Sequence, residues 1–288
     1  MPKISAVMNV YNEELLLPHV LANIQEYVDE IVIVDGSPVG PSSDSTREIA
    51  EAHEKVIYKS GTFDMMDGGW DMAKQRNTGI ASATGDTLML LSADMLFTNL
   101  QVLRDAVDLG LYKIYFCPVV EFWLDSKQQR LYSGESDPLT VQAPILEPIA
   151  IDRDLNPYCE TDGKLNLEGA TIRHRVVLSQ TTKFHLGWLR PFSQQVAKHI
   201  RHVKQHRWDD HGERLLRGAE RGLEQWAILH VLGYNSIPAI SYMGILPEEM
   251  NGLKDMRYDD GAQEMTDDFE SRHKVSIFKL MRGRDAVQ

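Results

Sequence analysis

The amino-acid sequence predicts an α/β fold built around a mostly parallel central sheet. Apolar residues alternate through Ile4–Val10 and lead into a segment with helical spacing, and a buried run at Ile31–Val34 precedes a helix at Thr46–Ala52. A third unit joins a helix at Lys74–Ile80 to an apolar strand at Leu88–Leu91. Because consecutive strand–helix units favour right-handed crossovers between parallel strands, these strands should lie in one sheet.

The length and composition indicate an ordinary globular protein. The chain has 288 residues, of which 43% are hydrophobic and 25% are charged, which suits one large domain with a smaller extension. We expect the large domain at residues 1–190 and a mainly helical C-terminal extension, packed on it, at residues 191–288. The helices of this extension are expected near residues 192–207, 212–232 and 262–281. Residues 134–165, rich in Pro, Asp and Gly, should form loops.

The charge and cysteine content narrow the functional classes. The formal net charge of −12 argues against general nucleic-acid binding, although the segment from Arg173 to Arg221 is rich in Lys, Arg and His and is suited to face phosphate. Two cysteines, Cys117 and Cys159, are too few for a disulfide framework. No apolar stretch approaches the roughly 20 residues of a membrane-spanning helix, and the N-terminus lacks the apolar core of a signal peptide. We therefore expect a cytoplasmic protein without a membrane span.

Polar residues follow each of the three predicted strands. Tyr11-Asn12-Glu13 comes after the first strand, Asp35 after the second, and Ser92-Ala93-Asp94 after the third. Parallel strands end at a common edge of the sheet, which is where open α/β sheets bind ligands. The sequence therefore places a carboxylate, Asp94, where a metal ion and a diphosphate are able to meet.

These segments resemble the successive signatures of family two glycosyltransferases, the inverting sugar transferases of GT-A fold. The resemblance rests on Val7–Glu14, Val34–Ser37, Arg76–Gly79 and Ser92–Asp94, in this order and at these spacings. It covers about residues 3 to 110 well and extends weakly to about residue 205. It implies a GT-A catalytic domain that moves a sugar from a nucleoside diphosphate donor, expected to be UDP-linked, to an acceptor hydroxyl with inversion. It also implies a divalent cation, Mn²⁺ or Mg²⁺.

The chain departs from the family pattern at two places. The insertion Pro38–Ser42 separates Asp35-Gly36-Ser37 from Asp44-Ser45-Thr46, which the family usually joins in one compact run. In the Asp-x-Asp signature, Ser92 stands where the family has its first carboxylate. A serine hydroxyl is able to bond a ribose or a metal-bound water but brings no charge, so Asp94 must carry more of the cation binding.

The resemblance also implies roles for individual residues. Asp94 would hold the metal through oxygen ligation, together with His185, because the family often has a metal- or diphosphate-binding histidine late in the chain. Arg76, Lys198 and Arg201 would meet the diphosphate. The residues expected to frame the nucleoside are Val10, Tyr11, Asn12, Glu13, Asp35, Ser92 and Ala93. Each also has a structural explanation, such as a turn-forming Asp35 or a hydrogen-bonded core His185.

An inverting displacement needs a carboxylate on the acceptor side to take the hydroxyl proton. The candidates for this general base are Glu168 and Asp162, followed by Glu160, and each is also an ordinary loop carboxylate. The acceptor stays open among a glycan, a lipid, a protein and a modified nucleic-acid base. A non-catalytic nucleotide-sugar or glycan-binding protein of the same fold is the alternative that Ser92 favours, and a nucleotidyltransferase is a third class.

Overall fold

The structure is a computed structural model. The residues that it describes are 1–66, 69–70, 72–123, 125–130, 146–160, 165–187, 189–205, 228, 239–241, 246–253 and 262–273. Within this part of the chain, no helix is long and apolar enough to cross a membrane.

The described helices and strands alternate in the N-terminal part of the chain and become more irregular after it. The strands are β1 (Ile4–Val10), β2 (Glu30–Ser37), β3 (Val56–Thr62), β4 (Met65–Met66), β5 (Gly69–Trp70), β6 (Thr87–Ser92), β7 (Met95–Phe97), β8 (Ile114–Trp123), β9 (Asp125–Arg130), β10 (Leu146–Asp152), β11 (Tyr158–Cys159), β12 (Leu165–Asn166), β13 (Arg175–Val177), β14 (Lys183–His185) and β15 (Ala239–Ser241). The helices are α1 (Leu17–Ile24), α2 (Thr46–Glu51), α3 (Met72–Ser82), α4 (Leu100–Leu109), α5 (Phe192–Gln205) and α6 (Ala262–His273).

One sheet of eleven strands organises the molecule, and its core is parallel. The strand order is β15-β9-β8-β10-β6-β1-β2-β3, with β7, β13 and β14 off this path. The neighbours β6, β1, β2 and β3 are mutually parallel, whereas β10 runs antiparallel between β6 and β8. The predicted α/β class is confirmed, with a parallel half next to a mixed half.

Helices cover the parallel strands on both faces. On one face, Ile4, Ala6 and Met8 of β1 join a buried cluster with residues of α1 and α4. On the other face, Val7 and neighbouring β2 residues pack beneath α3. The approach of α3 requires Gly79, because a Cβ atom there would lie 2.5 Å from Val7 Cγ1. This packing holds the ends of β1, β2 and β6 in a fixed relation.

The region after residue 134 differs in part from the sequence-based expectation. Residues 146–152, expected to be loop, form the inner strand β10. Pro148 is tolerated there because the pairing with β8 shifts register between Pro148 and Ala150, and proline occurs inside sheets mainly at such bulges. The helices predicted near 192–207 and 262–281 correspond to α5 and the described part of α6, whereas most of the one near 212–232 lies outside the described residues. The domain boundary at residue 190 stays a prediction.

Candidate active site

The carboxyl ends of β1, β2 and β6 lie side by side and form the floor of the candidate site. Asn9 is in register with both Val34 and Ser92, so the residues that follow these three strands emerge at one edge. Val10 is buried at the end of β1, and Ala93 is buried just beyond β6. The sequence-predicted segments are therefore brought together at this edge.

Asp94 and His185 meet at this edge because β7 and β14 are paired. His185 lies opposite Met95 in the antiparallel ladder, and Leu186 N donates a 2.7 Å hydrogen bond to the main-chain oxygen of Asp94. This pairing brings His185 Nε2 to 3.5 Å from Asp94 Oδ2. The two predicted metal ligands, separated by about ninety residues of chain, are thus neighbours in the fold.

The Asp94 carboxylate is buried in a positively charged surrounding. Its side chain is 11% exposed. Burial by itself raises the pKa of Asp94, but His185, Lys198 and Arg190 outweigh that effect and hold the pKa well below its usual value. Its Oδ1 atom is buried and has no hydrogen-bond partner among the described residues. Asp94 is therefore an ionised carboxylate with one buried oxygen that no described protein group satisfies.

Arg190 is a site residue that the sequence analysis missed. Its side chain is 5% exposed, and its terminal NH2 nitrogen donates to both carboxylate oxygens of Glu13, at 2.9 and 2.7 Å. The same nitrogen lies 3.8 Å from Asp94 Oδ2. Burial and the charge of Asp94 raise the pKa of Glu13, whereas Arg190 and Lys198 lower it, and the net result is a raised pKa. Arg190 therefore links the β1 edge to the Asp94–His185 pair.

The segment between β14 and α5 fixes both His185 and Arg190. Leu189 N bonds the oxygen of Leu186 at 2.8 Å, and the buried Gln195 of α5 donates to the oxygen of Gly187 at 2.7 Å. A Cβ atom on Gly187 would lie 2.9 Å from His185 Nε2 and 3.2 Å from Asp94 Oδ2. A side chain at position 187 would therefore crowd the pair, and Gly187 keeps His185 Nε2 and Asp94 Oδ2 clear of one.

The Asp94–His185 pair presents a carboxylate and an imidazole, which are ligand types that divalent cations use. Asp94 Oδ2 and His185 Nε2 flank the position that a Cβ atom on Gly187 would take, and Asp94 Oδ1 has no hydrogen-bond partner among the described residues. Within the described residues, no third His, Cys, Asp or Glu side chain joins the pair to complete a protein-only metal site. Because Mg²⁺ and similar ions commonly use one or two protein ligands and complete their shell with substrate phosphates and water, a diphosphate would have to supply the remaining ligands.

We expect Gly187→Ala to weaken cation binding without unfolding the protein. The new methyl group would lie 2.9 Å from His185 Nε2 and 3.2 Å from Asp94 Oδ2 and would crowd both atoms. The Mn²⁺ concentration that gives half-maximal thermal stabilisation in the presence of UDP should therefore rise at least about tenfold. Gly61→Ala is the matched control, because its Cβ would meet Phe63 at an ordinary 3.5 Å. Equal Mn²⁺ dependence in the two variants would contradict this placement of the cation.

The Asp35 carboxylate lies near the carboxyl end of β2, where Ser42 and Tyr58 hydrogen-bond it. It is 0% exposed. Ser42 donates to it from its main-chain nitrogen at 3.1 Å and from Oγ at 2.7 Å, and Tyr58 donates from its hydroxyl. Burial and the bond to Asp35 raise the pKa of Tyr58, which therefore stays a donor. Contact of Asp35 with a nucleoside stays a prediction and requires a change in this arrangement.

The contacts of α3 give Arg76 a different neighbour from the predicted one. Asn77 bonds the main chain of Cys159 twice, donating at 2.9 Å and accepting at 2.8 Å. Arg76 hydrogen-bonds the Cys159 side chain, although burial outweighs this contact and raises the pKa of the thiol. The predicted contact of Arg76 with the diphosphate stays untested.

Glu168 lies toward the opposite end of the sheet. Its main-chain nitrogen bonds the oxygen of Leu155, and Arg153, two residues before Leu155, bonds the oxygen of Asp86 just ahead of β6. Glu168 is exposed and accepts a 2.9 Å hydrogen bond from Asn156. These contacts connect Glu168 to the start of β6, whereas Asp94 follows the end of that strand. The distance along β6 between the two carboxylates does not favour Glu168 as the general base. Asp162 lies outside the described residues.

The remaining predicted residues are distributed around the site. Glu13 N bonds Thr46 Oγ1 at 2.8 Å, and Asn12 adopts a left-handed conformation with φ 54°, as asparagine does more readily than most residues. Tyr11 and Ser92 are half-buried at the same edge. Lys198 of α5 is close enough to act electrostatically on both Glu13 and Asp94. Arg201 belongs to α5, and its side chain lies outside the described residues.

The chain is similar to several known proteins. It is 37% identical over 95 residues to a TPR repeat-containing protein of Synechococcus elongatus, a match that covers 33% of this chain and 21% of the relative, so the chain spans about a fifth of that protein's length.

Among solved structures, S. aureus TarS residues 1–349 are 14% identical, with a TM-score of 0.42 and coverage of 80% of this chain and 72% of that one. The mannosyltransferase PcManGT of Pyrobaculum calidifontis, solved with GDP-Man and Mn²⁺, is 16% identical, with a TM-score of 0.41 and coverage of 99% and 80%.

Residues 5–144 match the family model described as glycosyl transferase family 2. The matched range contains the ends of β1, β2 and β6, and with them Glu13, Asp35 and Asp94 of the candidate site. The resemblance seen in the sequence motifs is thereby confirmed. Residues 5–144, just under half of the chain, are thus similar to glycosyl transferase family 2.

Proposed function

We propose that this protein transfers a sugar from a nucleoside diphosphate donor to an acceptor hydroxyl, with a divalent cation held by Asp94 and His185. The observation that carries the proposal is the buried, ionised Asp94, which has one unpartnered oxygen, faces His185, and lies within a glycosyl transferase family 2 domain. Gly187, which keeps a side chain away from Asp94 Oδ2 and His185 Nε2, supports the same assignment.

The charges around Asp94 suit the departure of a diphosphate. In glycosyl transfer the leaving nucleoside diphosphate gains negative charge, and preorganised positive groups stabilise that charge most effectively in a buried site. When bound, the divalent cation would supply Lewis-acid stabilisation to the phosphate oxygens. Arg190 and Lys198 add positive charge beside Asp94, and Arg190 is already held in place by Glu13.

The donor would lie across the carboxyl edge of the parallel strands. The turn Tyr11–Glu13 and Asp35 would contact the nucleoside, and Ser92-Ala93 would lie between it and the cation, with Arg76, Lys198 and Arg201 toward the diphosphate. A UDP-linked sugar is the donor that we propose first. Inversion at the anomeric carbon requires a single displacement, in which one carboxylate takes the acceptor proton.

Of the described carboxylates considered for that role, Glu160 directly follows β11 and accepts a 2.8 Å hydrogen bond from Asn166 of β12.

The test is turnover of donor sugars with and without Mn²⁺ or Mg²⁺. We expect release of UDP or GDP from the matching nucleotide sugar, slowly to water and faster with a suitable acceptor, and we expect chelation by EDTA to reduce the rate at least about a hundredfold. Turnover that is unaffected by chelation would contradict the cation assignment, whereas no nucleotide release from any donor would contradict the transferase activity.

A second candidate is a non-catalytic nucleotide-sugar-binding protein, and the observation that favours it is Ser92 in place of the first carboxylate of the family signature. This candidate predicts cation-dependent binding of a nucleotide sugar with no turnover. Isothermal titration with UDP-linked and GDP-linked sugars, followed by chromatography of the same samples, distinguishes the two: an intact donor after long incubation with varied acceptors supports binding alone.

A further inference from the structure

Ser42, the last residue of the inserted loop Pro38–Ser42, hydrogen-bonds the Asp35 carboxylate, which the proposed function assigns to nucleoside binding. Ser42 contributes both its main-chain N–H and its hydroxyl to Asp35, and the Tyr58 hydroxyl takes a further position on the same carboxylate. With these partners in place Asp35 is 0% exposed. A ligand therefore has no access to Asp35 in this arrangement.

The two partners of Asp35 differ in how firmly they are held. Tyr58 belongs to β3, which is paired with β2 along its whole length, so its position is set by the sheet. Ser42 lies on a loop whose tip is exposed, with Val39 at 77% exposure. Moving Ser42 breaks its hydrogen bonds to Asp35 and Asn12 but no strand pairing, whereas moving the Tyr58 main chain would break the β2–β3 ladder.

Ser42 also ties the loop to the turn after β1. Its Oγ accepts a 2.8 Å hydrogen bond from Asn12 N, and Ser43 N donates a 2.9 Å hydrogen bond to Asn12 Oδ1. The loop closes on itself through the Ser37 hydroxyl, which donates to the oxygen of Gly40 at 2.8 Å. The Ser42 hydroxyl thus joins Asp35 to Asn12, two residues predicted to contact the nucleoside.

We propose that Ser42 competes with the nucleoside for the Asp35 carboxylate and thereby limits the affinity of the donor site for nucleotide. Binding of the donor exchanges the Ser42 hydrogen bonds for one from the ligand. Because an ionised carboxylate only accepts hydrogen bonds, the incoming group must be a donor, such as the ring N–H of uracil or guanine. This inference rests on the proposed function, since it takes Asp35 as a nucleoside contact.

The exchange has a predictable cost. A hydrogen bond to a charged group contributes more than one between neutral groups, so a ligand that displaces Ser42 loses part of its binding free energy in doing so. Removing the Ser42 hydroxyl should lower that cost and tighten nucleotide binding by about tenfold, which corresponds to roughly 1.4 kcal/mol.

The experiment compares binding of UDP and GDP to the wild-type protein, Ser42→Ala, Ser42→Thr and Ser43→Ala by isothermal titration. Ser42→Thr keeps the hydroxyl, and the exposed Ser43 uses its main chain, not its side chain, in the bond to Asn12. We expect about tenfold tighter binding for Ser42→Ala alone, with the other two variants like the wild type. Tighter binding should also be seen with uridine, which lacks the phosphates and so isolates the nucleoside end of the site.

The outcomes separate this inference from the proposed function. Nucleotide binding by the wild type with no gain, or a loss, in Ser42→Ala overturns the role of Ser42 and leaves the proposed function standing. No binding by any of the proteins overturns both, and binding by Ser42→Ala alone supports both.

A measurement on the unmutated protein decides the matter if Ser42→Ala does not fold. Hydrogen exchange of the amides in residues 38–43 should become faster when UDP binds, because Ser42 N–H leaves Asp35. Slower exchange in this segment with UDP bound overturns the proposal.

Discussion

Replacing Asp94 by alanine is expected to reduce kcat/KM for sugar transfer by on the order of a thousandfold. The substitution removes the buried carboxylate whose Oδ1 is unpartnered and whose Oδ2 faces His185, and with it the negative charge that would hold the cation. A loss of this size corresponds to about 4 kcal/mol of transition-state stabilisation. Initial rates of nucleotide release at subsaturating donor measure it.

Two further variants show whether this loss comes from the charge. Asp94→Asn keeps the shape of the side chain and should lose nearly as much activity as Asp94→Ala. Asp105→Asn removes an exposed carboxylate on α4, where Asp105 accepts a hydrogen bond from Gln101, and should retain full activity. Near-wild-type turnover by Asp94→Asn would show that the carboxylate charge is not needed.

Replacing Arg190 by alanine is expected to lower the free energy of unfolding by about 3–5 kcal/mol. The guanidinium is the buried partner of Glu13 and a neighbour of Asp94, so its removal leaves a buried carboxylate without its counter-charge. Urea denaturation followed by circular dichroism measures this change. The variant should also bind nucleotide more weakly, because the Tyr11–Glu13 turn loses its contact with the segment after β14.

A double-mutant cycle and an exposed control make the Arg190 prediction specific. Adding Glu13→Gln to Arg190→Ala should recover part of the lost stability, because the unpaired charge is removed. Arg47 pairs with Glu51 on the surface of α2, with both side chains about half exposed or more, and Arg47→Ala should cost no more than about 0.5 kcal/mol. Equal losses for Arg190→Ala and Arg47→Ala would contradict the structural role of Arg190.

The parallel half of the fold was predictable because its signals are local. The alternating and continuous apolar runs predicted β1, β2 and β6 to within a few residues of their observed ends. Helical spacing after the first strand predicted α1, and the helices predicted at Thr46–Ala52 and Lys74–Ile80 correspond to α2 and α3. Strand β10 was not predicted, because Pro148 and the Pro-, Asp- and Gly-rich composition of residues 134–165 indicated a loop. Its position depends on pairing with β6 and β8, which local periodicity does not report.

The candidate site was predictable where it follows directly from strand ends. Asp35 lies near the carboxyl end of β2 and Asp94 two residues after β6, so their place at the carboxyl edge follows from the topology. Arg190 was missed because it is 177 residues from Glu13 in sequence, and the only local signal was a lone arginine between Leu189 and Pro191. The occupation of Asp35 by Ser42 was likewise not foreseen, since an insertion in sequence gives no indication of where it folds.

The central claim is that Asp94 and His185 hold a cation for the donor diphosphate. The most direct measurement is the electron paramagnetic resonance signal of free Mn²⁺ during titration with the protein in the presence of UDP. We predict that the wild type removes one equivalent of Mn²⁺ from solution only when UDP is present and that Asp94→Ala does not. UDP binding that leaves the Mn²⁺ signal unchanged, or equal Mn²⁺ uptake by Asp94→Ala, would contradict the claim.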